Sequence, residues 1–337
     1  MKGRYLIKIE NNRLHYTLTL ERNITIIQGN SGTGKTTLVS MINDYIMGDD
    51  SISCSILQDG NKNHVPVNIS VISPSDKFWK LQIQQEKNSI MFMDEDCRFV
   101  KTKEFAETVK NSDCYFVIIT RDSLPMLPYS IEEIYTMVED KKYPKLKKTY
   151  NKLVRKYNDK QKPLKPDLVL TEDSCSGFQF VKESFNSINC NTCCGKSNVA
   201  ILLNFSQANK VLLVVDGAAF GSDIEATVAA VKERNRLGKQ TSIFAPESFE
   251  WLILRSKNFY ALVKNELERT YDYADSSQFE SWEQYYTSLL INLTKDKISA
   301  YSKTKLNPYY LQGKVQEEIK KMYSVIEDDM KPLDLFN

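Results

Sequence analysis

Gly29, Gly34, Lys35 and Thr36 stand at the spacing GxxxxGK(S/T), and Asn30, Ser31, Gly32 and Thr33 fill a loop that runs on into Thr37. Residues of these types at this spacing bind the phosphates of a nucleotide. The glycines let backbone N–H groups curl around phosphate oxygens, Lys35 reaches the β- and γ-phosphates, and the Thr36 hydroxyl ligates Mg²⁺. Such a cradle needs a strand in front of it and a helix N-terminus behind it. Both are present in the pattern. The β-branched run Ile24, Thr25, Ile26, Ile27 precedes the loop, and Leu38, Val39, Met41, Ile42, Tyr45 and Ile46 follow at helical spacing.

A second chemical signal lies about 55 residues further on, where SIMFMDE (residues 89–95) reads as a buried strand ending in two carboxylates. After a phosphate loop, an acid at Asp94 completes the Mg²⁺ shell and a second at Glu95 orients or deprotonates the attacking water. The apolar run 114–119 is another buried strand, and the polar residues at its end, Thr120 and Arg121, are candidates to sense the γ-phosphate or simply part of a solvated loop. No Asn-Lys-x-Asp run is present, which argues against a small GTPase and for ATP. No LSGGQ-like signature precedes Asp94 either.

At 337 residues the chain has room for two domains of ordinary size. Its 45 basic and 43 acidic residues nearly cancel, so any nucleic-acid or membrane surface must be local. Seven scattered cysteines fit reduced thiols in a cytoplasm better than a disulfide framework, and no 18-residue apolar run predicts a membrane span. A cytoplasmic protein with no membrane partner is expected.

Ahead of the loop, residues 5–9 and 14–20 alternate as strands around a turn at Asn11 and Asn12. A hairpin leading into a phosphate loop resembles the start of ABC-type and SMC/RecF-like ATPases, in which an aromatic near this point often stacks on the base. Tyr5 or Tyr16 would be that residue here, unless they are ordinary sheet tyrosines.

Residues 139–166 carry eleven Lys or Arg against three acids. Leu146, Tyr150, Leu153, Val154 and Tyr157 predict an amphipathic linker helix with a lysine-rich face, able to track DNA or RNA phosphates or simply to be solvated. This segment separates a first domain, 1–138, from a second, 167–265, with a helical extension over 266–337 whose stripes (Phe279, Trp282, Tyr285, Tyr286, Leu289, Leu290; Val315, Ile319, Met322, Ile326) read as packing surfaces.

The second domain repeats one plan three times: DLVLTED (167–173), KVLLVVD (210–216) and QTSIFA (240–245) each read as a strand followed by a turn and a helix. That predicts an α/β fold with a parallel sheet and carboxylates gathered at its C-terminal edge. Glu172 and Asp216, with Gly221 following, resemble the glutamate and DxDxxG pattern of Toprim domains, except that Ala218 stands at the second aspartate position. The resemblance implies Mg²⁺ or Mn²⁺ bound by Glu172 and Asp216, with Asp173, Asp223 and Glu247 near the same edge, acting on nucleic-acid phosphodiesters.

An SMC/ABC-like ATPase followed by a Toprim module resembles a compact OLD-family (overcoming lysogenization defect) nuclease. That implies an ATP-coupled nuclease in phage defence or mobile-element biology, as a homodimer or with a partner effector. The alternative is a regulatory ATPase whose Toprim-like half is inert. Two further motifs read as decoys: CNTCCGKS (190–197) lacks the first glycine of a phosphate loop and a clean strand before it, and its cysteines with Cys175 lack the second CxxC or His that a zinc site needs.

Overall fold

The computed structural model describes residues 1–29, 32–59, 67–75, 77–139, 144–150 and 166–327, and is an α/β protein. The chain divides into two compact units, the first made of Met1–Thr149 with Arg269–Ser281 and the second of Tyr150–Glu268 with Trp282–Asn337. No described helix is long and apolar enough to cross a membrane.

In the first unit, β1 (Tyr5–Glu10) and β2 (His15–Leu20) form the expected hairpin, turned by the Asn11 side chain, which accepts from the backbone N–H groups of Arg13 and Leu14. β3 (Ile24–Gln28) leads into the glycine loop and α1 (Lys35–Ile46). β4 (Ser53–Gln58) pairs with β1 in a three-stranded antiparallel sheet, whereas β5 (Asn68–Ile72) joins a different sheet. After α2 (Trp79–Gln85) come β6 (Ser89–Met93), α3 (Lys103–Lys110), β7 (Tyr115–Ile119) and β8 (Ile134–Glu139).

The large sheet has the order β5-β6-β7-β3-β8 with β9 (Pro144–Lys148) at its edge. All neighbours are parallel except β8 and β9, and β6, β7 and β3 are sealed inside it. Continuous apolar runs are what a parallel sheet covered on both faces requires.

Over Pro144–Lys148, β9 stands in place of the expected linker helix. Lys145 and Lys147 are exposed while Leu146 and Lys148 are half-buried, and this two-residue period pairs with β8, so that sheet hydrogen bonds overrule the helical spacing read from Leu146 onward. Leu153, Val154 and Tyr157 lie outside the described residues. The segment Arg269–Ser281, expected to belong to a helical extension of the second domain, returns to the first unit, where Gly3 N donates to Tyr271 O and Ser276 N to Met1 O. Phe279 therefore lies outside the helix it was expected to mark.

The second unit is built on a four-stranded, all-parallel sheet of order β11-β10-β12-β13, from β10 (Leu168–Thr171), β11 (Asn189–Thr192), β12 (Lys210–Val214) and β13 (Gln240–Phe244). The helices between them are α4 (Ser176–Ser184), α5 (Val199–Phe205) and α6 (Ile224–Arg236). Then follow α7 (Phe249–Leu254), α8 (Lys257–Tyr260), α9 (Lys264–Glu268), α10 (Trp282–Thr294) and α11 (Gly313–Glu327). Of these strands β11 is too polar to be read from periodicity. At the opposite edge the fully buried Arg234 of α6 ties β13 to the end of α5: its guanidinium donates to Thr241 Oγ1 (2.8 Å) and to the carbonyls of Leu203 (3.0 Å), Ser206 (2.8 Å) and Ala208 (2.7 Å).

A candidate nucleotide site and a carboxylate edge

Because β3, β6 and β7 run parallel, their C-terminal ends deliver the glycine loop, Asp94 and Thr120 to one edge of the first unit's sheet. One strand, β7, stands between the loop strand and the acidic strand. The loop keeps its first glycine for a steric reason. Gly29 has φ 148°, and a Cβ there would meet Thr33 Oγ1 at 3.3 Å and the Met137 carbonyl at 3.6 Å. Gly34, at φ 91°, turns the chain into α1, so the first N–H groups of the helix face the loop. Of the expected cradle residues, Asn30 and Ser31 lie outside the described residues, while Gly32, Thr33, Thr36 and Thr37 line the turn and the helix start, Thr36 with an exposed hydroxyl.

Lys35 is 5% exposed and its ammonium donates to the Gly29 carbonyl at 2.7 Å, bending back across the loop. Burial lowers its pKa, against the opposing pull of Glu95 and Asp94 and with the help of Arg121. Lys35, Asp94, Glu95 and Arg121 are thus electrostatic neighbours. Asp94 Oδ1 accepts from Glu95 N at 2.8 Å, and Arg121 Nε pairs with Glu95 Oε1 at 2.5 Å. Thr120 is buried and its hydroxyl is engaged with Asp122, accepting from its N–H (3.0 Å) and donating to its carbonyl (3.2 Å). Thr36 and Asp94 are the groups suited to an Mg²⁺ ion that would otherwise be held by phosphate and water.

Tyr16 and Tyr5 are sheet tyrosines, both buried. The Tyr16 hydroxyl donates to the Gly34 carbonyl at 3.1 Å, bracing the loop from the hairpin, and Tyr5 packs edge-on to Tyr115 at 5.7 Å.

In the second unit the chain leaves β10 toward β11 on one side and returns to β12 on the other. The crevice between β10 and β12 is therefore the switch point at which open α/β sheets bind ligands. Glu172 and Asp216 sit at those two strand ends, and Glu172 Oε2 accepts from Asp216 N at 3.0 Å. Gly217 is required beside them, since a Cβ would come within 2.8 Å of the Ala245 carbonyl.

Glu172, Asp173, Asp216, Glu250 and Lys303 line a cavity of about 20 Å³, room for roughly one water molecule. Burial pushes the Glu172 carboxyl up to about 7, and burial together with Glu283, Glu172, Glu250 and Asp173 raises Asp216 well above the carboxylate range. The two expected metal ligands stand together. Asp223 is engaged by Lys196, whose Nζ lies 3.7 Å from Asp223 Oδ2, and by Ser222 Oγ, which donates to that same oxygen at 2.6 Å; Lys196 is also among the charges acting on Glu172. Ala218, which the Toprim resemblance sets at a second aspartate position, is buried at 2% exposure.

Among the described residues no group of three or more His, Cys, Asp or Glu side chains is placed to hold a metal ion. Glu250, Glu283 and Lys303 are additions the motifs do not announce. They come from the start of α7, the start of α10 and a loop far along the chain. A strand, β11, does lead into Gly195, Lys196 and Ser197, but Lys196 is engaged with Ser222 at 2.8 Å and no glycine replaces Cys190. The chain matches no protein-family profile and no curated protein sequence.

Proposed function

We propose that the first unit binds and hydrolyses ATP. The reading rests on one observation above the rest: Lys35, Asp94, Glu95 and Arg121, drawn from a glycine loop and two strand ends, are electrostatic neighbours at a single sheet edge. In this proposal the loop N–H groups and Lys35 hold the phosphates, and Thr36 and Asp94 hold Mg²⁺, which would neutralise charge on the β- and γ-phosphates. Glu95 aligns water, and Arg121 leaves it to meet the γ-phosphate. ATP turnover by the wild type and by Lys35→Ala tests this. Turnover lost in the variant supports it, and equal turnover by both removes it.

For the second unit the favoured reading is a regulatory or partner-binding module answering to the nucleotide state. Its support is Ala218 at the second aspartate position of the resemblance, the pairing of Asp223 with Lys196, and a lysine, Lys303, among the residues lining the cavity beside Glu172 and Asp216. The other reading is metal-dependent processing of DNA or RNA at Glu172 and Asp216, favoured by their place at the switch point. Nicking of plasmid DNA under Mg²⁺ or Mn²⁺ with ATP, lost in Glu172→Ala, would decide for the nuclease. Intact plasmid throughout would decide for the module.

A further inference from the structure

We propose that the Lys303 ammonium is the resident cation of the second unit's carboxylate edge, standing where the Toprim resemblance implies a divalent metal. The inference deepens the reading of that edge given above and does not depend on the first unit's chemistry.

The residues present do not fit the implied metal. One family carboxylate is absent at Ala218, Asp223 is turned to Lys196, and the cavity between Glu172 and Asp216 is lined by a lysine. Lys303 is not a stray surface side chain. Ser176 N donates to the Lys303 carbonyl at 2.9 Å, and the Tyr301 hydroxyl donates to Glu250 Oε1 at 2.7 Å while bonding Ser176 Oγ at 2.5 Å. On the other side Gln179 Nε2 donates to the Thr304 carbonyl (2.8 Å) and Gln179 Oε1 accepts from Leu306 N (2.9 Å). The loop around Lys303 is thus pinned to α4 on both sides of the lysine and to α7 before it. From there its ammonium pairs with Glu283 and feels Glu250 and Asp216. Burial opposes its charge, yet these carboxylates together raise its pKa above the ordinary lysine range. The side chain lines the cavity and is 35% exposed, so it is not a core residue.

A tethered ammonium performs one task of a metal and none of the others. It neutralises carboxylates that would repel one another, but it offers no open coordination position and no acidified water. A dication entering beside it would be repelled at short range.

The test is an Mn²⁺ titration of the full-length protein without nucleotide, free Mn²⁺ being read by its paramagnetic resonance signal. The variants are Glu172→Gln, Lys303→Met, Lys303→Arg, and Lys303→Met combined with Asp216→Asn. Omitting nucleotide leaves the result independent of whether the first unit hydrolyses ATP, which is measured separately. Wild type and Lys303→Arg should show no site that Glu172→Gln removes. Lys303→Met should gain one, at least about tenfold tighter than any wild-type binding and abolished by Asp216→Asn. If Lys303→Met unfolds and millimolar Mn²⁺ refolds it, the exchange of one cation for another is likewise supported. A wild-type site lost in Glu172→Gln would overturn the proposal, and so would a Lys303→Met variant that folds without gaining a site or stays unfolded with Mn²⁺.

Discussion

Arg121 Nε stands 2.5 Å from Glu95 Oε1, an ion pair between the ends of two strands that flank each other in the sheet. Both side chains are substantially exposed, so the pair contributes little to stability and its consequence is to be sought in turnover. Under the ATPase proposal Glu95→Gln should lower kcat by about 10²–10⁴-fold with the melting temperature nearly unchanged. Arg121→Ala should also lower kcat. Steady-state ATP hydrolysis checks both, and a Glu95→Gln enzyme at wild-type rate would strip Glu95 of its role.

Tyr16 braces the phosphate loop through the Gly34 carbonyl. Tyr16→Phe removes that single bond and retains the ring, which predicts a loss of about 0.5–1.5 kcal/mol in the first unit's stability. Because Gly34 turns the chain into α1, a rise in the Kd for ATP is expected alongside. Isothermal titration with a non-hydrolysable analogue measures it; an unaltered Kd would mean the loop holds its shape without the hairpin.

Arg234 is a buried tie in the second unit, its guanidinium serving three backbone carbonyls and Thr241. Arg234→Met removes all four bonds, but the Leu203 carbonyl keeps Ser206 N at 3.2 Å and the Ser206 carbonyl keeps Lys239 Nζ at 3.1 Å, which predicts destabilisation of about 1–3 kcal/mol. Arg234→Lys should recover little of it, because an ammonium cannot reproduce the planar fork. Urea denaturation would show both, and a loss below about 1 kcal/mol for Arg234→Met would contradict the assignment.

Glu133 is buried in the first unit, where its carboxylate accepts from Thr25 Oγ1 at 3.2 Å and has Arg22 and Lys148 at 3.8 and 3.7 Å. Burial outweighs both cations and pushes its carboxyl up to about 7 from 4.5. An acid raised on folding binds its proton more tightly in the native state. Its stabilisation is therefore full below about pH 4.5 and is lost as pH rises through about 7, a difference on the order of 1–3 kcal/mol. Glu133→Gln should flatten that part of the stability profile between about pH 5 and pH 8. Parallel profiles for variant and wild type would show that Glu133 titrates normally.

The first unit was legible wherever local pattern and tertiary role agreed. Residues 89–93 are apolar because β6 is covered on both faces, and the same continuity marks β3 and β7. The start of the basic stretch, Pro144–Lys148, was misread because Leu146 satisfies a helical and an alternating pattern at once, and only the partner strand β8 decides between them. β11 escaped because an edge strand with half its residues exposed has no apolar signature. At the carboxylate edge, Glu172 and Asp216 were readable as strand ends. Glu250, Glu283 and Lys303 were not, since a loop and two helix starts bring them there with no fixed spacing from the motif.

The return of Arg269–Ser281 to the first unit has a consequence for how the protein is made. The first unit is discontinuous in sequence, and its last strip leaves the ribosome only after residues 150–268 have been synthesised. The amide of Gly3 and the carbonyl of Met1 wait through that interval for Tyr271 and Ser276. Domains that are continuous in sequence fold as they emerge, N-terminal first. Here the N-terminal unit is finished late, and release of the chain before residue 281 would yield a first unit missing that closing segment.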